Sequence, residues 1–138
     1  MNKIKFTVEI MKLMSLFETV TGSKLKDCII EPTMDVFVVE PTYAGRAIGK
    51  NGVNVKKLER ALNRKIKIVE FNPELMGFAQ NLIYPLKARD MAESDKILSI
   101  TAADSETRGH LIGRNAANLR QYEEIIKRYF DITEVKVT

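Results

Sequence analysis

The sequence predicts an α+β protein built from two similar modules, each with the order helix, strand, strand, helix, helix, strand. Stretches with apolar residues at three- and four-residue steps alternate with short runs rich in β-branched residues. In addition, the glycine-containing segment at 45–56 recurs 64 positions later, at 109–120. Such internal similarity indicates one structural unit used twice. The 138 residues are enough for two very small modules.

The first predicted module covers residues 1–72. Apolar side chains recur at helical spacing from Phe6 to Val20, and Gly22 is a natural stop. Pro41 ends a Val-rich strand and suits the first turn of a helix. The predicted elements are a helix at 4–21, strands at 26–31 and 34–40, a short helix at 42–48, a glycine loop at 49–52, a longer helix at 53–63 and a strand at 65–70.

The second predicted module covers residues 73–138, after a break at Asn72-Pro73. Its predicted elements are a helix at 74–84, strands at 86–91 and 96–102 around a turn at Glu93-Ser94-Asp95, a short helix at 105–111, a longer helix at 117–130 and a strand at 133–137. The second long helix is about one turn longer than the first, so that the closing strands should match at a larger offset, with Ile66 on Val135.

The way the strands are connected predicts a mixed three-stranded sheet in each module, because a strand–helix–helix–strand crossover joins parallel strands. No Gly/Ser-rich linker separates the modules. We therefore expect a compact pair, with both glycine loops on one continuous basic face.

Charge is distributed unevenly along the chain. The formal net charge is only +4. Residues 43–68, however, hold eight basic side chains against one acidic, and residues 108–128 hold five against two. The rest of the chain is net acidic. Two corresponding basic segments in an otherwise acidic protein predict a face that binds a polyanion.

Composition excludes several other classes of protein. The single cysteine, Cys28, allows no intrachain disulfide, and its apolar neighbours predict a buried position. A free thiol and the lack of an export signal favour the cytoplasm. No apolar stretch reaches the roughly 18 residues that a membrane span needs.

The sequence contains no recognisable motif for a catalytic or metal site. Residues 45–51 resemble a nucleotide-binding P-loop, but only three residues separate the glycines, and Asn51 stands where Mg²⁺ binding needs Ser or Thr. Cysteine and histidine are too few for a zinc site. His110, the only histidine, is interpreted as a surface residue. We therefore expect no enzymatic activity, no cofactor and no metal.

The glycine loop at Gly49–Gly52 carries the chemistry of the first module. Glycine lets a ligand backbone approach closely and allows positive φ. Free N–H groups at the start of the next helix, together with the helix dipole, favour an anion there, and Lys50 adds a mobile cation. Ile48 and Val53 flank the loop and are expected to hold it on the core. This combination predicts a clamp for a phosphodiester backbone, beside a groove for unstacked bases.

The second loop has Ala116 at the position of Gly52. If this position needs positive φ, alanine costs roughly 1 kcal/mol; if it is helical, alanine is neutral or better. Arg114 and Arg120 keep the positive charge. The first loop is therefore predicted to be the principal clamp, and the second to extend the track more weakly.

The segment Ile48-Gly49-Lys50-Asn51-Gly52 and the element order resemble K-homology (KH) domains of the type II, prokaryotic kind. The tandem arrangement is similar to the KH pair of NusA transcription factors, and its coverage of the whole chain is most similar to the short archaeal NusA-like proteins. The resemblance implies a factor that binds single-stranded RNA in transcription elongation, termination or antitermination. The candidate RNA-binding residues are Arg46, Ile48, Gly49, Lys50, Asn51, Gly52, Val53, Lys56, Lys57, Arg60, Gly113, Arg114, Asn115, Ala116 and Arg120.

Two other functions stay open at the level of sequence. One is a KH protein associated with the ribosome or with its assembly. The other is an adaptor that binds protein on a KH scaffold. RNA polymerase and other transcription factors are further candidate partners, although the polymerase-binding and S1 domains of bacterial NusA do not fit in this length. We expect a monomer.

Overall fold

The computed structural model describes residues 6–138. These form two compact units, one that ends at Asn72 and one that spans Pro73–Thr138. The first unit contains α1 (Val8–Thr21), β1 (Leu25–Ile30), β2 (Met34–Val39), α2 (Ala44–Ile48), α3 (Val53–Leu62) and β3 (Lys65–Glu70). The second contains α4 (Leu75–Ile83), β4 (Ala88–Ser94), β5 (Ile97–Ala102), α5 (Ser105–Ile112), α6 (Ala117–Tyr129) and β6 (Glu134–Val137). The predicted α+β class and element order are confirmed.

Each unit has one mixed three-stranded sheet, as the connections predict. In the first unit the order is β1-β2-β3, with β1 antiparallel and β3 parallel to β2. Phe37, at the centre of β2, pairs with Cys28 on one side and Ile68 on the other. The second unit repeats this arrangement in the order β4-β5-β6. The parallel pair in each sheet brackets the two helices that flank the glycine loop.

The core of the first unit lies between its helices and one face of its sheet. The rings of Phe17 and Phe37 stack with centroids 4.4 Å apart. Cys28 is buried beside them, as predicted. Ala47 of α2 and Leu58 of α3 are fully buried in the same cluster. These two residues therefore fix the helices on either side of the loop.

The core of the second unit is built around Phe78 of α4. Its ring meets that of Tyr129 edge-on at 5.3 Å and lies 5.8 Å from that of Phe130. Leu111 of α5 and Ile126 of α6 are fully buried. Aromatic pairs in such geometries add to the stabilisation that burial alone provides.

The first helix begins later than its apolar spacing predicts. The hydroxyl oxygen of Thr7 accepts a hydrogen bond of 3.1 Å from the Ile10 N–H, which caps the first turn. The helix therefore starts at Val8, and the predicted residues 4 and 5 lie outside the described part of the chain. At the other end Gly22, at φ 66°, terminates the helix as predicted.

The predicted turn at Glu93-Ser94-Asp95 is wrong. Glu93 and Ser94 belong to β4 and pair with Leu98 and Ile97. The turn consists of Asp95 and Lys96, whose φ values are 52° and 62°. Two positive φ values in a two-residue loop match the hairpin turn that best fits the twist of antiparallel strands.

The closing strands are tied to the long helices by the same contact in both units. The Oε2 atom of Glu59 accepts a hydrogen bond of 3.2 Å from the Ile66 N–H. The Oε2 atom of Glu123 accepts one of 2.9 Å from the Val135 N–H. This common contact supports the predicted match of Ile66 with Val135. Between Phe6 and Thr138, no helix is both long enough and apolar enough to cross a membrane.

Candidate nucleic-acid interface

The first glycine loop joins the end of α2 to the start of α3 through a short 3₁₀ turn at Lys50–Gly52. Gly49 has φ 78° and ψ 168°, a region essentially restricted to glycine. Asn51 has φ 56° and Gly52 has φ 71°, both in the left-handed region. Asparagine tolerates this region better than most residues. The local sequence therefore suits the backbone path of the loop at each of the three positions.

The second loop follows the same path. Gly113 has φ 74° and ψ 175°, and Asn115 has φ 55°. Ala116 has φ 60° and ψ 24°, close to the 71° and 23° of Gly52. The position thus requires positive φ, and alanine there costs about 1 kcal/mol. The second unit keeps the shape of the loop despite this strain.

Two N–H groups between the end of the loop and the first residue of α3 form hydrogen bonds within the turn. The N–H of Gly52 donates to the Gly49 carbonyl at 3.1 Å, and the N–H of Val53 donates to the Lys50 carbonyl. These two groups close the turn. No side chain caps the start of α3, whose N-cap is Gly52. These two N–H groups are therefore used by the turn, and attraction of a phosphate here rests on the rest of the first turn of α3, on the helix dipole and on nearby cationic side chains.

Exposed cations continue from the first loop along one side of α3. Lys50 is exposed in the loop, and Lys56, Lys57 and Arg60 are exposed on the helix. Residues three and four apart lie on the same face of a helix. We call these four side chains the first-unit basic stripe. It places positive charge in the loop and on one side of the helix that follows.

The corresponding positions of the second unit carry much less charge. Arg114 and Arg120 are exposed and correspond to Lys50 and Lys56. The next two positions, however, hold Gln121 and Glu124. The stripe therefore ends after two cations. This difference agrees with the predicted asymmetry between the two loops.

The predicted role of Ile48 and Val53 as anchors in the core is wrong. Their side chains are 39% and 43% exposed, whereas Ala47 is the buried residue of α2 and Leu58 that of α3. Ala47 and Leu58 provide the anchoring. Ile48 and Val53 thus present apolar surface on either side of Gly49–Gly52, which is suitable for contact with unstacked bases.

Three basic residues of the segment 43–68 either contact other groups of the protein or are partly buried. Arg64 pairs with the buried Asp35, with Nε and Oδ1 2.9 Å apart. Burial lowers the pKa of Lys67 on β3 below its ordinary value. Arg46 donates through Nη1 to the Gly22 carbonyl at 3.4 Å. The charge count of the sequence therefore overstates the positive charge that this segment offers to a ligand.

His110 lies on the surface of the second unit, as predicted. Its side chain is 64% exposed, and its Nε2 lies 3.9 Å from Oε1 of Glu106, one helical turn away. At that separation a neutral imidazole forms no hydrogen bond. Its main-chain carbonyl accepts a hydrogen bond from the side chain of Asn118.

Sequence reasoning assigned no role to Asn54 and Asn118. Nδ2 of Asn54 donates to the Arg46 carbonyl at 3.0 Å, and Nδ2 of Asn118 donates to the His110 carbonyl at 2.9 Å. Both bonds cross from the helix after the loop to the helix before it. The signal available in the sequence was the recurrence of asparagine at the common offset of 64 positions.

Comparisons with known proteins give consistent results. A family model described as "KH domain" matches residues 13–73. "Probable transcription termination protein NusA" of Halobacterium salinarum is 31% identical over 137 residues, covering 98% of this chain and 99% of the relative. A protein of that name from Methanocaldococcus jannaschii is 27% identical over 140 residues, covering 99% of this chain and 76% of the relative. The crystal structure of APE1850 superposes with a TM-score of 0.79 at 26% identity, covering 96% of this chain and 100% of that one.

Proposed function

The chain belongs to the NusA family represented by these archaeal proteins, and we propose on this basis that it is a transcription factor that binds single-stranded RNA. The loop at Gly49–Gly52 is its principal contact with the RNA backbone. We place the boundary between its two KH modules at Asn72-Pro73. The names of the relatives favour a role in transcription over one on the ribosome or as a protein adaptor.

One observation supports the RNA-binding proposal more than any other. The left-handed loop carries one exposed cation of the first-unit basic stripe and directly precedes the helix that carries the other three. The open space at Gly52 lets a sugar–phosphate backbone approach the loop, and the cations neutralise successive phosphates. Such contacts position an RNA strand without reading its sequence.

Contacts with bases are proposed for the apolar side chains beside the loop. Ile48 and Val53 remain more than one third exposed although they are aliphatic. Single-stranded RNA offers unstacked bases that can lie on such surface, whereas bases in a duplex are covered. The site should therefore prefer single strands over duplexes.

The second loop is proposed as a weaker contact. It has the same backbone path as the first, with Arg114 and Asn115 exposed in place of Lys50 and Asn51. Its flanking residues are Ile112 and Ala117, so that the apolar surface is smaller than in the first unit. Fewer cations follow it along α6.

A fluorescence titration with a short single-stranded RNA at about 100 mM salt tests the RNA-binding proposal. We expect binding by the wild-type protein, weaker binding to the matched duplex, and loss of binding in Lys50→Asp/Asn51→Asp. Asparagine and aspartate both tolerate the left-handed region, so that the variant should keep its fold. Unchanged affinity in this variant, with circular dichroism like that of the wild type, would sink the assignment.

Sequencing of RNA cross-linked to the protein in cells tests the role in transcription. Enrichment of nascent transcripts is expected. A predominance of ribosomal RNA would favour the ribosome-associated alternative instead. Capture of RNA polymerase that resists nuclease treatment would identify the polymerase as a partner, and a sizing column run on the purified protein alone would test the proposed monomer.

A further inference from the structure

We propose that Asn54 and Asn118 are positioning residues that lock the two glycine loops in their binding conformation. This inference rests on the proposed RNA-binding function, because the effect of the lock is read through RNA affinity. Each asparagine acts through the loop and need not touch RNA. We call the two hydrogen bonds, Asn54 to Arg46 and Asn118 to His110, the asparagine latches.

The latches join the two ends of each loop. Asn54 is the second residue of α3, and its Nδ2 donates at 3.0 Å to the carbonyl of Arg46 in α2. Asn118 occupies the same place in α6, and its Nδ2 donates at 2.9 Å to the carbonyl of His110 in α5. Carbonyl groups in the last turn of a helix lack intrahelical partners, so that this donor satisfies one of them. The loop between the two helices is thereby closed at its base.

The first glycine of each loop makes room for the latch. A Cβ atom at Gly49 would lie 2.9 Å from Nδ2 of Asn54, and one at Gly113 would lie 2.7 Å from Nδ2 of Asn118. Both distances are well inside the ~3.5–4.0 Å at which heavy atoms pack favourably. Gly49 and Gly113 are therefore required by the asparagine as well as by their own positive φ. Glycine and asparagine form a matched pair in each unit.

The two units have kept the latch although other residues of the loop differ. Gly52 and Val53 correspond to Ala116 and Ala117, while the asparagine that follows is the same in both. The backbone path is also the same, including the strained Ala116. A fixed path at a strained position needs surrounding contacts that hold it. The asparagine latch is a side-chain contact that both loops share.

The asparagine latches should raise RNA affinity, because they hold each loop in its binding conformation before RNA binds. A preorganised loop loses less conformational freedom when it binds than a mobile one. We expect Asn54→Ala to weaken RNA binding about three- to tenfold while leaving the salt dependence of binding unchanged, because no phosphate contact is removed. Asn118→Ala should have a smaller effect, since the second loop contributes less. Thr19→Ala, at an exposed position of α1, is the control.

Hydrogen exchange of the RNA-free protein separates positioning from the two simpler explanations. A positioning role predicts faster exchange in Asn54→Ala of the Gly52 and Val53 amides, which donate within the turn, with amides of the β2 core unchanged. A direct RNA contact alone predicts no change in the loop without RNA. A purely structural role predicts faster exchange throughout the unit and normal affinity of the folded fraction. Either of the last two results overturns the proposal.

A double-mutant cycle provides a second test that does not depend on RNA. Gly113→Ala is measured alone and in the Asn118→Ala background, where the clash with the amide is gone. The φ strain of the new alanine is present in both backgrounds and cancels. We expect Gly113→Ala to lower the midpoint of urea unfolding less when Asn118 is absent. An equal shift in both backgrounds contradicts the matched pair. If the wild-type protein fails to bind RNA, the proposed function is wrong. Hydrogen exchange and the double-mutant cycle, which need no RNA, still test whether the asparagines hold the loops.

Discussion

Nε of Arg64 lies 2.9 Å from Oδ1 of Asp35, a carboxylate that is only 2% exposed. Arg64 also donates to the main-chain carbonyl of Glu31. These bonds tie the residue before β3 to the start of β2. An arginine in the most basic segment of the chain is thus part of the framework.

Replacing Arg64 or Arg60 with methionine should show that Arg64 contributes to stability and Arg60 to RNA binding. Arg64→Met leaves Asp35 buried without its partner and should lower the free energy of unfolding by about 2 kcal/mol, less than a fully buried pair because Arg64 is one third exposed. Its RNA affinity should hold. Arg60→Met should leave stability unchanged and reduce the salt slope of binding by about 0.7. Urea unfolding and salt-dependent titration measure both, and a loss of affinity in folded Arg64→Met contradicts the division.

The backbone strain at Ala116 predicts that Ala116→Gly and Gly52→Ala change the free energy of unfolding in opposite directions. Ala116→Gly relieves a left-handed alanine and should raise the free energy of unfolding of the second unit by up to about 1 kcal/mol. Gly52→Ala introduces the same strain and should lower that of the first unit by about 1 kcal/mol. Open space surrounds Gly52, so that no clash adds to the cost. Chemical denaturation checks both, and an effect of the same sign in both variants would count against the shared loop geometry.

The exposed aliphatic pair beside the first loop should contribute affinity that does not depend on salt. Ile48→Ser and Val53→Ser each remove apolar surface that is already partly in water, so that stability should change little. RNA affinity should fall about three- to tenfold, with the salt slope unchanged. Titrations at two salt concentrations measure this. An altered slope would place these positions among the phosphate contacts instead.

Asp104 at the start of α5 should make stability sensitive to acid. The Thr107 N–H, which donates to its Oδ1 at 2.7 Å, holds the pKa of this carboxyl below its ordinary value. A lowered folded-state pKa means that the stabilisation is present above the unfolded value and is lost as pH falls through the folded one. Asp104→Asn keeps an acceptor and does not titrate. Thermal melting at pH 7 and pH 3 should show the wild type losing more stability than the variant; parallel losses contradict the assignment.

The sequence allowed the element order and the two loops to be predicted, because apolar spacing and glycine placement are local signals. The hairpin turn at Asp95-Lys96 was placed too early because Glu93-Ser94-Asp95 has turn-like composition, whereas strand register decides where the turn falls. The wrong prediction that Ile48 and Val53 face the core has a similar cause. Residue type alone does not show which side of the five-residue α2, or of the first turn of α3, faces the core.

The features of the site that could not be predicted depend on contacts between residues that are distant in the sequence. Arg64 meets a carboxylate 29 positions earlier, and the count of charges in a segment does not show such a partner. Asn54 and Asn118 reach across the loop to carbonyls, which every residue has and which therefore leave no mark in the sequence. Their recurrence in both modules was visible, but its meaning depends on the geometry.

A single titration series tests the central claim, that the first loop is the principal RNA contact. One single-stranded RNA is titrated against wild type, Lys50→Asp/Asn51→Asp and Arg114→Asp/Asn115→Asp, which change equivalent positions by the same charge. Loss of charge-assisted contacts of about 1.5–3 kcal/mol should weaken binding by at least about tenfold in the first variant. The second variant should lose clearly less. Equal losses, or a larger loss from the second loop, would contradict the account.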